Sequence, residues 1–532
     1  MQTVSDSWKE AHKQTILNES FVEVSMDIAD PDALAAAQSG DNGAVYFSNT
    51  WNVVSEVDKN IAPYCTLEQN LWLLNGGRKA IPIDAYREDG YIGDVLSDDT
   101  CVFSSKIPSI TIDFGKVFES FIPGITITWS VAYNEFADSF IVTAYNGDTI
   151  VAEKEVIGNR SVKSLVMMNI VNYNRIVIKI KKWCLPYHRP RIDEIFVGMN
   201  KVYSKTELFS YSHSQSVDPI STSLPKAEIK FSIDNVNGEY NPYNEEGMAK
   251  YLMERQEVKA RYGLKQDDGT IEWIKGGTFY LSEWSAKQNG LTADFAARDM
   301  LEFMSKTFDD HYDVTSTPRT LWELADEVLW AEDLPMNSDG TVKWIIDESL
   351  KSITTNARLP KDTLANCLQL IANAAMCVLY QDREGILHIE PLKFDDTDYT
   401  INSFNSYSKP EITLSKSIKQ VKVNVYSYRM SDKGVSSDTT EVIVPIGSMG
   451  ETITIDNPLI TNNDMAIALG TWVGTHLGHR MTIESSWRPD VRLDPLDIIT
   501  VENAYDSKRV RVTEVEYDFN GAFRGTSEGK VI

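Results

Sequence analysis

The feature that most constrains this chain is a strict period of two at Ile229, Phe231 and Ile233, which alternate with Lys230, Ser232 and Asp234 and lead into Asn237-Gly238. Successive side chains of an extended strand point to opposite faces, so this run offers one face to a core and the other to water. Asn237-Gly238 then reverses the chain, because both residues accept positive φ at little cost. Further strand runs follow at Val258 to Gly263, at Ile271 to Ser282 with a break at Gly276-Gly277, and at Leu291 to Ala296. Short helices are expected over Met248 to Arg255 and Arg298 to Met304. Together these elements predict a small, mostly antiparallel barrel or sandwich.

A chain of 532 residues is too long for one core and implies three or four domains. Its hydrophobic content of 42% is ordinary for a globular protein. With 77 acidic against 51 basic residues the formal charge is −26, a surface that repels nucleic acid and anionic membranes. The five cysteines (Cys65, Cys101, Cys184, Cys367, Cys377) are widely spaced without a Cys-x-x-Cys pair, so reduced, mostly buried thiols are expected. Met1 to Gln14 lacks the apolar core of a signal peptide. No run approaches the ~18 apolar residues of a membrane span, and a soluble protein is expected.

At the start of the chain, Trp8, Ala11, Thr15 and Ile16 fall at helical spacing, and Phe21 to Ile28 alternates as a strand. From Ser39 to Met199 many short alternating runs between turns argue for a β-sandwich, with strands at Ser109 to Gly115, Gly124 to Trp129, Ser139 to Tyr145, Leu165 to Ile170 and Arg175 to Trp183. Thr320 to Trp330 reads as a helix capped by Thr320, and Thr363 to Leu379 as a buried helix, followed by a strand from Gly385 to Pro391. The remainder is β again: Ile418 to Tyr428, Glu441 to Ile446, Glu451 to Ile455, then a helix over Asp464 to Gly478, and strands to Phe519.

The words Phe231-Ser-Ile-Asp-Asn235, Asn241-Pro242, Tyr251-Leu-Met-Glu-Arg-Gln-Glu-Val258, Gly277-Thr-Phe-Tyr-Leu281 and Ala296-Ala-Arg-Asp-Met-Leu301 resemble, in order and spacing, the first barrel of phage tail hub and tail-associated proteins. Lys361-Asp-Thr-Leu364 with Tyr380 to Ile389 is similar to the small α/β domain of that family, and Val510 to Gly521 to the last hairpin of its second barrel. The resemblance implies a mostly β fold of two hub-type barrels, an inserted jelly-roll sandwich and a small α/β part. The implied boundaries are 1–38 for the first helix and strand, 39–199 for the insert, 200–305 for the rest of barrel one, 306–400 for the α/β domain and 401–532 for barrel two. The implied function is a structural virion protein: a homotrimeric baseplate or tail-tip hub around the DNA exit channel, adapting a hexameric tail tube to a three-fold tip. Implied partners are a distal tail or tube ring, a tape-measure protein and tail fibres or receptor-binding proteins, without stable nucleic-acid binding. The implied location is the distal end of the virion tail, after synthesis in the host bacterial cytoplasm.

The insert is similar to galactose-binding-like, discoidin-type domains at Asp113-Phe-Gly115, the Phe140 strand with Asn146-Gly147, Tyr173 to Trp183, and Arg191-Ile-Asp-Glu-Ile-Phe-Val-Gly198. Such domains often bind glycans in the loops at one end, where aromatic faces stack on sugar rings and Arg, Asn or Asp reads the hydroxyls. The residues here are Tyr187, His188, Arg189 and Arg191, with Trp51 or Trp72 joining them. The competing reading makes Trp51 and Trp72 core residues and the arginines surface pairs.

No Walker loop, dinucleotide loop, His-Glu-x-x-His helix or Gly-x-Ser-x-Gly turn is present. His213 among serines lacks the strained nucleophile turn of a triad. Acidic pairs such as Asp309-Asp310 and Asp395-Asp396 read as solvated loops. No enzymatic activity, cofactor or metal is therefore expected. The alternatives to a phage hub are a glycan-binding adhesin or receptor-binding tail protein, and the hub of a phage-tail-like contractile injection system.

Overall fold

The computed structural model describes the chain except residues 15–17, 30, 45–52, 55–64, 67–78, 81–89, 120–121, 132, 245–246, 250–251, 253, 288–289, 333, 335–340, 432–433, 489 and 503–504. The fold is mostly β, with the chain divided into two compact units. One comprises Met1–Ser25, Val202–Pro335 and Lys343–Ile532; the other comprises Met26–Lys201 and Met336–Val342. The chain passes from one unit to the other inside the Ser20–Ala29 strand and returns inside Gly198–Tyr203.

The first unit is organised on a thirteen-stranded sheet. Lys226–Asp234 has the burial alternation read from its sequence, with Ile229, Phe231 and Ile233 in the core. It lies between Leu208–Ser216 and Thr292–Arg298, both antiparallel to it. Gly238 turns the chain at φ +68°, with its N–H donating to the Asn235 carbonyl at 2.8 Å. Leu208–Ser216 pairs on its other side with Ser507–Phe519, from Tyr211 opposite Phe519 to Ser216 opposite Glu514. The strands read as two barrels are thus joined in one continuous sheet.

Several elements differ from the sequence reading. The break expected at Gly276-Gly277 is a bulge inside one long strand, Ile271–Ala286, where Ala260 opposes Gly277 and Arg261 opposes Lys275. A Cβ on Gly276 would come 2.8 Å from Tyr262 Cζ and 3.0 Å from the Ala260 carbonyl, so the ring and the neighbouring strand require glycine there. The helix expected over Met248 to Arg255 has no α-helical residue among those described; Ala249 alone is in a 3-10 turn. That over Arg298 to Met304 shrinks to Met300–Phe303, capped by Asp299. Trp8 and Ala11 are buried on the helix Asp6–Lys13, whereas Thr15 and Ile16 lie outside the described residues.

Two helices pack beside the three-stranded sheet of Trp344–Ile346, Val378–Gln381 and Leu387–Glu390. Leu321–Trp330 opens with a capping box: Thr320 Oγ1 accepts from Glu323 N–H and Glu323 Oε2 accepts from Thr320 N–H. The next helix, Leu364–Ala374, stops short of the predicted Leu379. Met376 adopts φ +56°, Cys377 N–H donates back to Ala372 O, and Val378 starts the following strand. Apolar spacing alone did not separate a helix from the buried strand that continues it. Burial pushes the Cys367 and Cys377 thiols up to about 12.

The last helix, Asn463–Gly478, lies against the hairpin Ile418–Ser431 and Gly434–Pro445. Gly470 and Gly474, one turn apart, allow the approach: a Cβ at either would sit 2.6 Å from Val444 Cγ2 or 2.1 Å from Ile446 Cδ1.

The second unit contains a five-stranded sheet, ordered Gln38–Asn42, Ser109–Phe118, Tyr173–Trp183, Ala137–Asn146, Thr149–Ile157, and a three-stranded sheet, Lys163–Ile170, Ile122–Thr128, Glu194–Phe196. Ile112, Val142 and Ile178 of the larger sheet share one core with Ile125, Val166 and Ile195 of the smaller. Trp129 meets Trp183 edge to face at 5.9 Å within that core. The sequence reading missed Thr149–Ile157, an edge strand so exposed that its residues show no apolar alternation.

Candidate functional site

The loop that follows Tyr173–Trp183 is tightly constrained. Tyr187 stands at φ +60°, a conformation uncommon for a tyrosine. Ser97 holds it there. Tyr187 N–H donates to Ser97 O at 3.1 Å, Ser97 N–H donates to His188 O at 3.0 Å, and Ser97 Oγ donates to Leu185 O at 2.8 Å. With His188 N–H donating to Ser97 Oγ at 3.2 Å, four bonds join one serine to one loop and leave the tyrosine ring half in solvent, at 42% exposure.

Beneath the loop lies a buried carboxylate. Glu135 is 5% exposed and accepts Trp183 Nε1–H at 2.8 Å, while His188 Nδ1 lies 2.9 Å from its other oxygen. Burial alone would raise this carboxyl; the hydrogen bonds from His188 and Trp183, with the charges of His188 and Arg191, outweigh it and hold Glu135 below the usual carboxylate range. The carboxylate therefore orients the imidazole and anchors the loop to the core tryptophan.

Arg189 and Arg191 are engaged too. Arg189 Nη1 donates to Gly93 O at 3.1 Å, and Gly93 N–H donates to Pro190 O at 2.9 Å. Arg191 lays its guanidinium 4.2 Å from the centroid of the Tyr133 ring. The structure thus brings Tyr187, His188, Arg189 and Arg191 together with Tyr133, and places Leu185, Tyr133 and Tyr187 at the surface. Trp51 and Trp72 lie outside the described residues. Sequence reasoning missed Ser97, Tyr133 and Glu135. Glu135 stands 53 residues from His188, and no local spacing signals a contact between residues so far apart in the chain.

The other residue weighed for chemistry, His213, is fully enclosed in the sheet unit. Its Nδ1 lies 2.9 Å from Tyr262 Oη, with Phe279 and Tyr517 packed around the ring. Burial, reinforced by the charge of Arg383, pushes its pKa down to about 3, so the ring is neutral. A neutral imidazole walled in by aromatic rings is a packing residue. Among the described residues no group of three or more His, Cys, Asp or Glu is placed to hold a metal ion, and no helix is long and apolar enough to cross a membrane.

No family model matches the chain, and no curated protein matches it. Among solved structures, the chain is similar to the 43 kDa tail protein of prophage MuSo2 from Shewanella oneidensis, at 12% identity and a TM-score of 0.41 over 62% of this chain and 95% of that one. It is similar to a tail protein from Neisseria meningitidis MC58 at 11% identity and a TM-score of 0.43, over 62% and 93% of the two chains. The prophage tail protein gp18 from Listeria monocytogenes EGD-e is similar at 12% identity and a TM-score of 0.38, over 62% and 91%.

Proposed function

We propose that this chain is a structural subunit of a phage tail, a baseplate or tail-tip hub that works by assembly and carries no catalysis of its own. The observation that carries the reading is the pairing of Leu208–Ser216 with Ser507–Phe519. It fuses the two strand sets that resemble hub barrels into one rigid sheet, as a ring-forming subunit under load requires. In this reading the hub is a homotrimer whose doubled strand sets match a hexameric tube ring, with tape-measure and fibre proteins as neighbours and DNA leaving through the middle. The formal charge of −26 supports the passage of DNA, since an acidic wall offers phosphates nothing to hold.

The sandwich unit would serve as an accessory domain that binds carbohydrate or braces neighbouring ring proteins. The exposed Tyr187 on its strained loop, with Arg189 and Arg191 beside it, favours the carbohydrate role. Electron microscopy of the purified chain mixed with tail-tube protein tests the hub: rings capping tubes are expected, and a chain that leaves tubes uncapped at every concentration would refute it. Glycan-array binding lost on Tyr187→Ala and Arg189→Ala tests the accessory role. Array silence for the intact chain would leave the sandwich a brace.

A further inference from the structure

Three arginines are buried among the described residues, all in the first unit, and two of them have a carboxylate beside them. Arg383 Nε donates to Asp494 Oδ1 at 2.6 Å, and Arg492 Nε donates to Asp490 Oδ2 at 2.8 Å. Arg511, the most deeply buried at 2% exposure, makes no ion pair among the described residues. Its Nη2 donates to Lys393 O at 2.7 Å and its guanidinium lies 4.4 Å from the centroid of the Phe394 ring, while Nε and Nη1 are buried without an acceptor. Burying a charge is costly unless an opposite charge or a full set of hydrogen bonds compensates it.

A second cation stands against it. Arg511 on Ser507–Phe519 lies directly opposite Lys530 on Phe523–Val531 in the antiparallel ladder. Residues so opposed share a face, with Cβ atoms about 5 Å apart, and like charges there repel. Lys530 is half-buried and likewise makes no ion pair among the described residues. In a chain with 77 acidic and 51 basic residues, two adjoining cations without a carboxylate are an exception. They share a small cavity of about 20 Å3, lined also by Asp218, His476, His479 and Ile532. Asp218 is taken up by its own turn, accepting from Ile220, Thr222 and Ser223 N–H. Burial, then the charges of Arg511, His479 and Lys530, push the His476 pKa down to about 4 against the pull of Asp218, so that ring is neutral. Ile532 N–H donates to Arg509 O, and Arg509 spends its own charge on Asp396 at 2.7 Å.

We propose that a single small anion, of halide size, occupies this cavity and supplies the counter-charge that Arg511 and Lys530 lack. The room decides the size: about 20 Å3 takes one sphere near the size of a water and is too small for a phosphate or a side-chain carboxylate. A water there would offer an acceptor but no charge. The helix Asn463–Gly478 brings its C-terminal end to the cavity, and that end of a helix dipole draws cations, so it is the two cations of the hairpin that hold the ion. The bound anion ties together the final hairpin, the last turn of that helix and the Asp218 turn, three segments far apart in the chain.

Thermal melts of the full chain at constant ionic strength, with sodium chloride replacing sodium gluconate, test it, because gluconate is too large to enter. The native chain is expected to melt at least about 2 °C higher in chloride, since an ion bound only by the folded state stabilises it. Arg511→Met and Lys530→Met are each expected to lose that rise, and Arg509→Met to keep it. Lys530 is only half-buried, so Lys530→Met reads the site even if Arg511→Met does not fold; circular dichroism checks each variant. Crystals of the chain grown in bromide are expected to show an anomalous peak between Arg511 and Lys530. A native chain that melts alike in chloride and gluconate would show that Asp218 or the carboxylate of Ile532 neutralises the pair, and the site falls. A rise as large in Lys530→Met as in the native chain would be a general salt effect and overturns it equally.

Discussion

Arg383 Nε donates to Asp494 Oδ1 at 2.6 Å, and the same guanidinium donates from Nη1 to Lys275 O and from Nη2 to Val491 O and Leu493 O. One side chain, carried on the turn between two strands of the small α/β part, thereby ties the strand Ile271–Ala286 to the segment 491–494. Burial alone would lower the pKa of this guanidinium; Asp494 outweighs that and keeps it firmly charged.

Removing the arginine would leave Asp494 beside a void and three carbonyls without their donor. Arg383→Ala is expected to destabilise the chain by about 3–5 kcal/mol, the usual cost of breaking a buried pair from one side. Arg383→Lys keeps the charge but loses the fork and is expected to recover only part of it. Urea melts of the three proteins measure this, and an unchanged midpoint for Arg383→Ala would show that the clamp contributes nothing.

Asp299 gives a pH dependence of known sign. Burial raises its carboxyl to about 7 even though Ala227 N–H and Glu302 N–H donate to it. The unfolded chain ionises this group first, from about 3.9 upward. The folded state therefore loses stability as pH rises from about 4 to about 7 and loses no more above that. Asp299→Asn, whose one carboxamide oxygen accepts only one of the two backbone bonds, is expected to lower stability at every pH but to flatten this part of the profile; thermal melts from pH 4 to pH 8 compare the two.

His213 acts on the other limb. With a folded pKa of about 3, the unfolded chain takes up the proton first as pH falls. Its contribution is complete above about 6.5 and drains away toward pH 3. His213→Gln, able to accept from Tyr262, is expected to weaken the acid sensitivity, read as a smaller drop in melting temperature between pH 6.5 and pH 4.

Gly474 is a packing test. A leucine there would drive atoms into Ile446 and Val421 of the hairpin under the helix, and Gly474→Leu is expected to cost about 1–3 kcal/mol. Gly478 has nothing within 4 Å of a built Cβ, so Gly478→Ala is expected to melt with the native chain.

Glu135→Ala would strip the partner from buried Trp183 Nε1 and from His188. A loss of about 1–3 kcal/mol is expected from the unpaired donor. Hydrogen exchange across residues 185–191 is expected to quicken beyond what the global loss explains, because the carboxylate anchors that loop. Equal exchange in both proteins would show that Ser97 holds the loop alone.

Alternation at Ile229, Phe231 and Ile233, at Ile110 and Ile112, and at Ile176, Ile178 and Ile180 was legible because the period of a half-buried strand is local and written residue by residue. The same holds for the Thr320 cap and the Asn237-Gly238 turn. Thr149–Ile157 was illegible because only Ala152 and Val156 of the strand turn partly inward, too few to write a period. The end of the helix at Ala374 was hidden because a buried helix and a buried strand are equally apolar.

By itself, then, the sequence determined that this protein is mostly β, where most of its strands run, and which loop carries Tyr187, His188, Arg189 and Arg191. Tertiary structure alone decided that the two strand sets share one sheet, that Arg383 reaches Asp494 across 111 residues, and that Glu135 and Ser97 hold the loop. The reason is physical: periodicity reports which face a residue turns inward, but which distant backbone or carboxylate waits there is settled only when desolvated polar groups must find partners in the folded core.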